Sequence, residues 1–168
     1  YLKNIPNAPD EVNKEQFTAE ARFCRALAYY TLMDMFGIPP FITEQNYSIN
    51  PIQKSRIELF DWIENELLSI KQALPSSQQG EYGRADQAVV DALLARMYLN
   101  AEVYTGTARY TDCISACKRV IAGGYSLAEN YPEIAENAIL EACDGADVVL
   151  LSIMGMAGLP AFEYCIRN

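Results

Sequence analysis

The sequence predicts a mainly α-helical protein, a tetratricopeptide-like stack of helix pairs with a short extended segment near its C-terminus. Three observations carry that prediction. Apolar residues recur at three- and four-residue spacing in separate stretches between Glu15 and Ile121. Residues that start or stop helices bracket each stretch. The third stretch is lined by alanines, which let neighbouring helices approach closely.

Residues 1–14, YLKNIPNAPDEVNK, contain two prolines and several turn formers, and read as an irregular lead-in. The first helix starts at Glu15, after Asn13 or Lys14. Phe17, Ala21, Cys24, Ala28, Leu32 and Met35 define its expected buried face, widened by Phe23, Leu27 and Tyr30. It ends where Gly37 can take a left-handed conformation and Pro39-Pro40 forbids continuation. Glu20, Arg22 and Arg25 lie within that apolar face, and a charge packed inside must find a partner. At least one of the three is therefore expected in a structural ion pair. Phe41-Ile42-Thr43 follows as a short extended piece, and Glu44–Lys54 as a polar loop broken by Pro51.

The second helix opens with Ser55-Arg56-Ile57-Glu58, the spacing of a capping box. Ile57, Phe60, Ile63, Leu67, Ile70 and Leu74 form its apolar side, and Pro75 ends it. Ser76–Gly83, rich in Ser, Gln and Gly, reads as an exposed loop. Asp86 caps a third helix through about Tyr104, with Ala88, Ala92, Ala95 and Leu99 on one side and Val89, Leu93 and Met97 beside them. Gly106 separates it from a fourth, in which Tyr110, Ile114, Cys117 and Ile121 keep the helical period until Gly123-Gly124. The third and fourth helices are expected to form a hairpin. Two such pairs, each burying its face against its neighbour, suggest the tetratricopeptide-like stack, although the full repeat consensus is not matched. Beyond Gly124 the helical period fades, and Asp147–Ile153 is an apolar run of strand length.

The run Ala19-Glu20-Ala21-Arg22-Phe23-Cys24-Arg25-Ala26-Leu27-Ala28-Tyr29-Tyr30, followed by Leu32, Met35-Phe36-Gly37, Pro40 and Ile42-Thr43, resembles the signature helix of the SusD/RagB family, surface glycan-binding lipoproteins of Bacteroidetes. Cys24 stands where that family usually has leucine, and Ile38 where a second small residue is common. Gly83-Arg84-Ala85, Ala92–Leu99, Val120-Ile121 with Gly124–Leu127, and Asp147–Ile153 resemble later family landmarks in the same order. The resemblance spans roughly Lys14 to Ile153, and whole members are several times longer, so the chain looks like an internal piece. It implies one SusD-like α-α superhelix portion over 1–168, with a lead-in at 1–14, a helix-pair scaffold at 15–124 and an irregular or strand tail at 125–168. It further implies a noncatalytic lipoprotein at the outer membrane surface, anchored by residues outside this chain. Such a protein binds glycans or oligosaccharides and delivers them to a TonB-dependent, SusC-like transporter.

Composition narrows the alternatives. A formal net charge of −9 and scattered Lys and Arg argue against a nucleic-acid surface. The chain has no histidine, which removes Ser-His-Asp, Cys-His and HExxH chemistry. Five cysteines without CxxC pairs show no zinc framework, and Cys24, Cys113 and Cys117 read as small core residues. No cofactor motif is present. Asp61, Glu64 and Glu66 share one helix and could in principle serve a carboxylate glycosidase, but a solvated polar face explains them more simply. No catalytic residue is assigned.

Aromatic rings stack on sugar faces while amides and carboxylates bind hydroxyls, so Trp62 with Asn65, Tyr47 with Asn46, and Tyr82 are the candidate glycan contacts. Ordinary packing or loop roles are the alternative for each. Glu20, Arg22, Arg25, Gly37 and Arg84 are the candidate structural residues; Arg84 is expected to anchor backbone carbonyls at a helix start. A helix-repeat scaffold gripping a peptide in its groove is the rival function.

Overall fold

The computed structural model describes residues 2–9, 13–44, 50–81, 83–125, 148–154 and 160–166. The chain divides into two compact units, Tyr1–Tyr125 and Ser126–Asn168. The first is helical and is built around one core.

Before the first helix, Ile5–Asn7 forms a single 3-10 turn that buries Ile5, where the sequence suggested an irregular lead-in. Helix α1, Lys14–Phe36, is capped by the Asn13 side chain, which accepts from the Gln16 N–H at 3.1 Å. Its buried residues are Ala19, Phe23, Ala26 and Met33, spaced four, three and seven apart. This differs from the expected face: Cys24, Ala28 and Met35 are exposed, and Phe17, Ala21 and Leu32 are half-buried. The reason is that α1 carries apolar residues on several sides, interleaved with charges, so periodicity alone could not select which side meets the neighbour.

Gly37 ends α1 at φ 78° and ψ −61°, and the Ile38 N–H donates to the Phe36 carbonyl at 2.9 Å, a γ-turn rather than the left-handed helical cap expected. A Cβ there would meet Arg56 Nε at 3.3 Å. Strand β1, Pro40–Phe41, pairs antiparallel with β2, Ile52–Gln53, which the sequence had presented as loop.

Helix α2, Arg56–Ile70, carries the expected capping box, with the Ser55 side chain accepting from the Glu58 N–H and the Glu58 carboxylate accepting from the Ser55 N–H. Leu59, Phe60, Ile63, Leu67 and Ile70 are its buried apolar residues, while Ile57 is exposed. Ahead of Pro75 the helix tightens into a 3-10 turn, Lys71–Ala73.

Asp86 caps helix α3, Gln87–Leu99, through the Val89 N–H at 3.0 Å. The helix expected to continue to Tyr104 breaks at Asn100, and α4, Ala101–Thr105, follows. Asn100 sits at φ −99° and ψ 9°, outside the helical well, a conformation its short polar side chain tolerates better than an aliphatic one does. Helix α5, Tyr110–Ala122, returns antiparallel along α3, giving the expected hairpin, with Cys113 donating its thiol hydrogen to the Ala95 carbonyl. Here too the apolar stripe expected to be buried is not, although Cys113 is buried as the sequence suggested. Cys113 and Ala116 face the core, while Tyr110, Ile114, Cys117 and Ile121 are exposed.

In the core, Phe60, Leu59, Ile63, Leu67 and Ile70 of α2 meet Met33 of α1 and Val90, Leu94 and Met97 of α3. Helix α2 is thus the central element, contacting α1 on one side and α3 and α4 on the other. In the second unit, β3, Val148–Met154, pairs antiparallel with β4, Pro160–Ile166, with Leu150 opposite Tyr164. The first of these strands was expected; the second was not.

Replacing Gly37 by alanine is expected to cost about 1–3 kcal/mol, because a side chain at this positive φ is strained and Arg56 must move aside. Urea unfolding of the variant measures it, and an unchanged midpoint would show that the turn is unconstrained.

Candidate functional site

The structural side chains come together at the seams between helices. Glu66 of α2 is buried at 8% exposure and receives two arginines of α1. Arg22 binds it through Nε at 3.1 Å and Nη2 at 2.6 Å, and Arg25 adds a further bond through Nη2. Arg25 also reaches Glu44 and lies over the Trp62 ring at 5.4 Å. Burial pushes the Glu66 carboxyl pKa up, but the hydrogen bonds from Arg22 and Arg25 outweigh it and hold the group below its ordinary value. All three of Glu20, Arg22 and Arg25 are thus in ion pairs with residues outside α1, Glu20 pairing with Arg84 at 2.5 Å. Arg84 binds the Glu20 and Glu81 carboxylates and stacks on Phe17 at 4.5 Å, rather than anchoring backbone carbonyls. A carboxylate gives a guanidinium a charge-assisted pair that a carbonyl cannot.

Two further acids follow the same pattern. Asp91 of α3, 3% exposed, accepts from Lys71 Nζ at 2.7 Å and from Arg119 Nε at 2.8 Å. Glu64 accepts from the Tyr98 hydroxyl at 2.7 Å and from Arg109 at 2.9 Å. Glu64 and Glu66 are therefore interhelix ligands for cations, not the solvated face that the polar side of α2 suggested; Asp61 is exposed.

Beside the start of α3 lies an open cavity of about 540 Å³. Ala88, Val89, Ala92 and Val120 give it an apolar wall, and Gln78, Glu81, Arg84 and Asp86 a polar rim, with Tyr125 at one side. The Tyr125 hydroxyl donates to Asp86. Burial raises the Asp86 pKa, but that bond and the N–H groups of Gln78 and Val89 bring it below normal. Each acid on the rim is already engaged: Glu81 by Arg84, Asp86 by Tyr125 and the cap.

A family model for SusD-like proteins, described as starch-binding and associating with the outer membrane, matches residues 1–99. The chain belongs to the SusD-like family. Starch-binding protein SusD of Bacteroides thetaiotaomicron is 41% identical over 117 residues, covering 69% of this chain and 21% of SusD. A laminarin-binding SusD-like protein of known structure is 28% identical with TM-score 0.67, over 79% of this chain and 30% of that one. Surface glycan-binding protein A from Bacteroides uniformis, at 22% identity and TM-score 0.66, shares the fold over 90% of this chain and 35% of that one. This SusD-like chain therefore spans about a fifth of the curated relative's length and about a third of these two structures.

Among the candidate ligand residues of this SusD-like chain, Trp62 is half-buried. Its ring meets Tyr29 at 5.3 Å and Phe41 at 4.9 Å edge-on, with Arg25 over it. Asn65, one turn on, is exposed and donates to the Asp61 carbonyl at 2.8 Å. Asn46, Tyr47 and Tyr82 lie outside the described residues. The structure brings none of the described candidates to the cavity; Trp62 and Asn65 share α2, and Arg84 alone of the structural set lines it. Sequence reasoning missed Asp91 and the role of Glu66. An acid inside the apolar run Ala88–Tyr98 was the available signal for the former, of the same kind that marked Arg22 and Arg25.

Because the folded-state pKa of Glu66 lies below the unfolded value, its contribution to stability is present above about pH 4.5 and is lost as pH falls through the depressed folded value. A Glu66→Gln chain is expected to be about 3 kcal/mol less stable at pH 7, at the low end for a broken buried pair because Arg22 is 30% exposed. It should also lose less stability than the parent between pH 5 and about pH 3. Denaturant midpoints across that range check both; parallel pH profiles would refute the clamp.

Proposed function

We propose that the chain is part of a noncatalytic glycan-binding protein, a surface lipoprotein of the outer membrane that captures oligosaccharides and passes them to a SusC-like, TonB-dependent transporter. The observation that carries this reading is the 41% identity to starch-binding protein SusD over 117 residues. The laminarin-binding relative points the same way. Support also comes from the acids: Glu66, Glu64, Asp91 and Asp86 are each held by cations or donors, and the lowered pKa of Glu66 and of Asp86 makes those two carboxylates poor proton donors for glycoside cleavage. No helix among the described residues is long and apolar enough to cross a membrane, so attachment in this reading uses a lipid anchor elsewhere in the polypeptide.

In this reading the helical unit is the rigid support, and the sugar contacts within the chain are Trp62 with Asn65, Asn46 with Tyr47, and Tyr82. Trp62 offers a sugar the part of its ring that Tyr29, Phe41 and Arg25 leave open. The full-length protein, titrated calorimetrically with soluble starch, laminarin and other neutral glycans, is expected to bind at least one without releasing reducing ends, and to co-purify with its transporter. Asn65→Ala should weaken that binding severalfold with little effect on stability, since Asn65 is exposed. Binding to none of the glycans, together with no co-purifying transporter, would overturn the reading.

A further inference from the structure

Helix α5 carries two free cysteines one turn apart, Cys113 and Cys117. Residues four apart share one side of a helix, and because helical side chains lean toward the N-terminus, Cys117 leans toward Cys113. Cys113 is buried and donates to the Ala95 carbonyl of α3 at 3.3 Å, whereas Cys117 is exposed. Burial pushes the Cys113 thiol pKa up, and the neighbouring Cys117 thiol, which interacts with it through a side-chain hydrogen bond, pushes it further. The two sulfurs therefore stand within reach of one another, one shielded and one open to solvent. Neither the ion pairs between helices nor the glycan reading uses them.

Their spacing selects the chemistry. Cβ atoms four residues apart on a helix are separated by roughly 5–6 Å, while a disulfide needs about 3.8 Å, so the pair is not set to close on itself. A metal ion between the sulfurs relaxes that demand, because two metal–sulfur bonds of about 2.3 Å each let a linear bridge span roughly 4.6 Å. A structural zinc ion takes four ligands, and among the described residues no group of three or more Cys, Asp or Glu is placed to hold a metal. Thiolates select soft ions, and copper(I) is the one that is satisfied by two sulfurs. We propose that Cys113 and Cys117 form a two-coordinate site for copper(I). The exposed Cys117 captures the ion, and Cys113 holds it at the α3–α5 seam, where the positive charge of the metal offsets the cost of a buried thiolate. Binding forms two S–Cu bonds, releases both thiol protons to solvent and leaves the oxidation state of copper unchanged; the Cys113 bond to the Ala95 carbonyl is given up with its proton.

The test is an anaerobic titration of the reduced full-length protein with copper(I), in competition with the chromogenic chelator bathocuproine disulfonate, at pH 6, 7 and 8. The parent is expected to hold one copper(I) ion that Cys117→Ala binds at least about tenfold more weakly, with an affinity that climbs about 10- to 100-fold per pH unit, one factor of ten for each proton released. Cys117→Ala carries the decision because the residue is exposed and its replacement leaves the α3–α5 packing intact. Cys24→Ala, on a different helix, should match the parent, and zinc in tenfold excess should displace none of the copper. A Cys117→Ala protein that binds copper(I) within about threefold of the parent would overturn the proposal, as would an affinity independent of pH. Loss of the ion from Cys24→Ala instead, or its displacement by zinc, would overturn it equally. The readout is independent of glycan binding, so its failure would leave the proposed function standing.

Discussion

The clamp of two α1 arginines on one buried carboxylate of α2 governs this structure. Arg22 and Arg25 are three residues apart and converge on Glu66. Sliding α1 by one turn would strand at least one charge against an apolar surface, and a buried charge without its partner is among the more costly defects a fold can carry. The clamp therefore acts on register more than on bulk stability. It also extends outward, for Arg25 continues to Glu44 and to the Trp62 ring, so the loop after α1 and the Tyr29–Phe41–Trp62 cluster are placed by the same side chain.

The same device recurs at each helix seam: Asp91 with Lys71 and Arg119, Glu64 with Arg109 and Tyr98, Glu20 with Arg84. An acid on one element receives cations from another, so a chain with 22 acids and 13 bases spends its scarcer cations where helices meet. The functional consequence is that these carboxylates are committed to architecture. Proton transfer to a glycosidic oxygen needs a carboxyl group whose pKa is raised, and pairing with guanidinium groups works in the opposite direction for Glu66. Such an arrangement ties neighbouring helices together through their charged side chains.

Local chemistry was legible wherever one residue and its immediate neighbours decide the outcome. The Ser55 and Asp86 caps, the Ser55–Glu58 capping box and the stop at Gly37 depend on interactions within a few residues, and they stand where the sequence placed them; of Asn13 and Lys14, which the sequence left open, Asn13 is the cap of α1. Strand β3 was readable from an unbroken aliphatic run. Strand β4 and the short β1–β2 pairing were not, because a strand of mixed composition is recognised through the partner it bonds to.

By itself, then, the sequence determined where most helices begin and where α1 stops, but not the break at Asn100; it also determined the α3–α5 hairpin, the need for charged partners around Arg22 and Arg25, and the membership of a glycan-binding family. Tertiary structure alone decided which side of α1 and α5 faces the core and which acids close the ion pairs. The physical reason is common to both. Helical period records only that a side chain is apolar, and charge only that a partner is required; the choice among several apolar sides or several acids belongs to the neighbouring helix, whose position no local pattern contains.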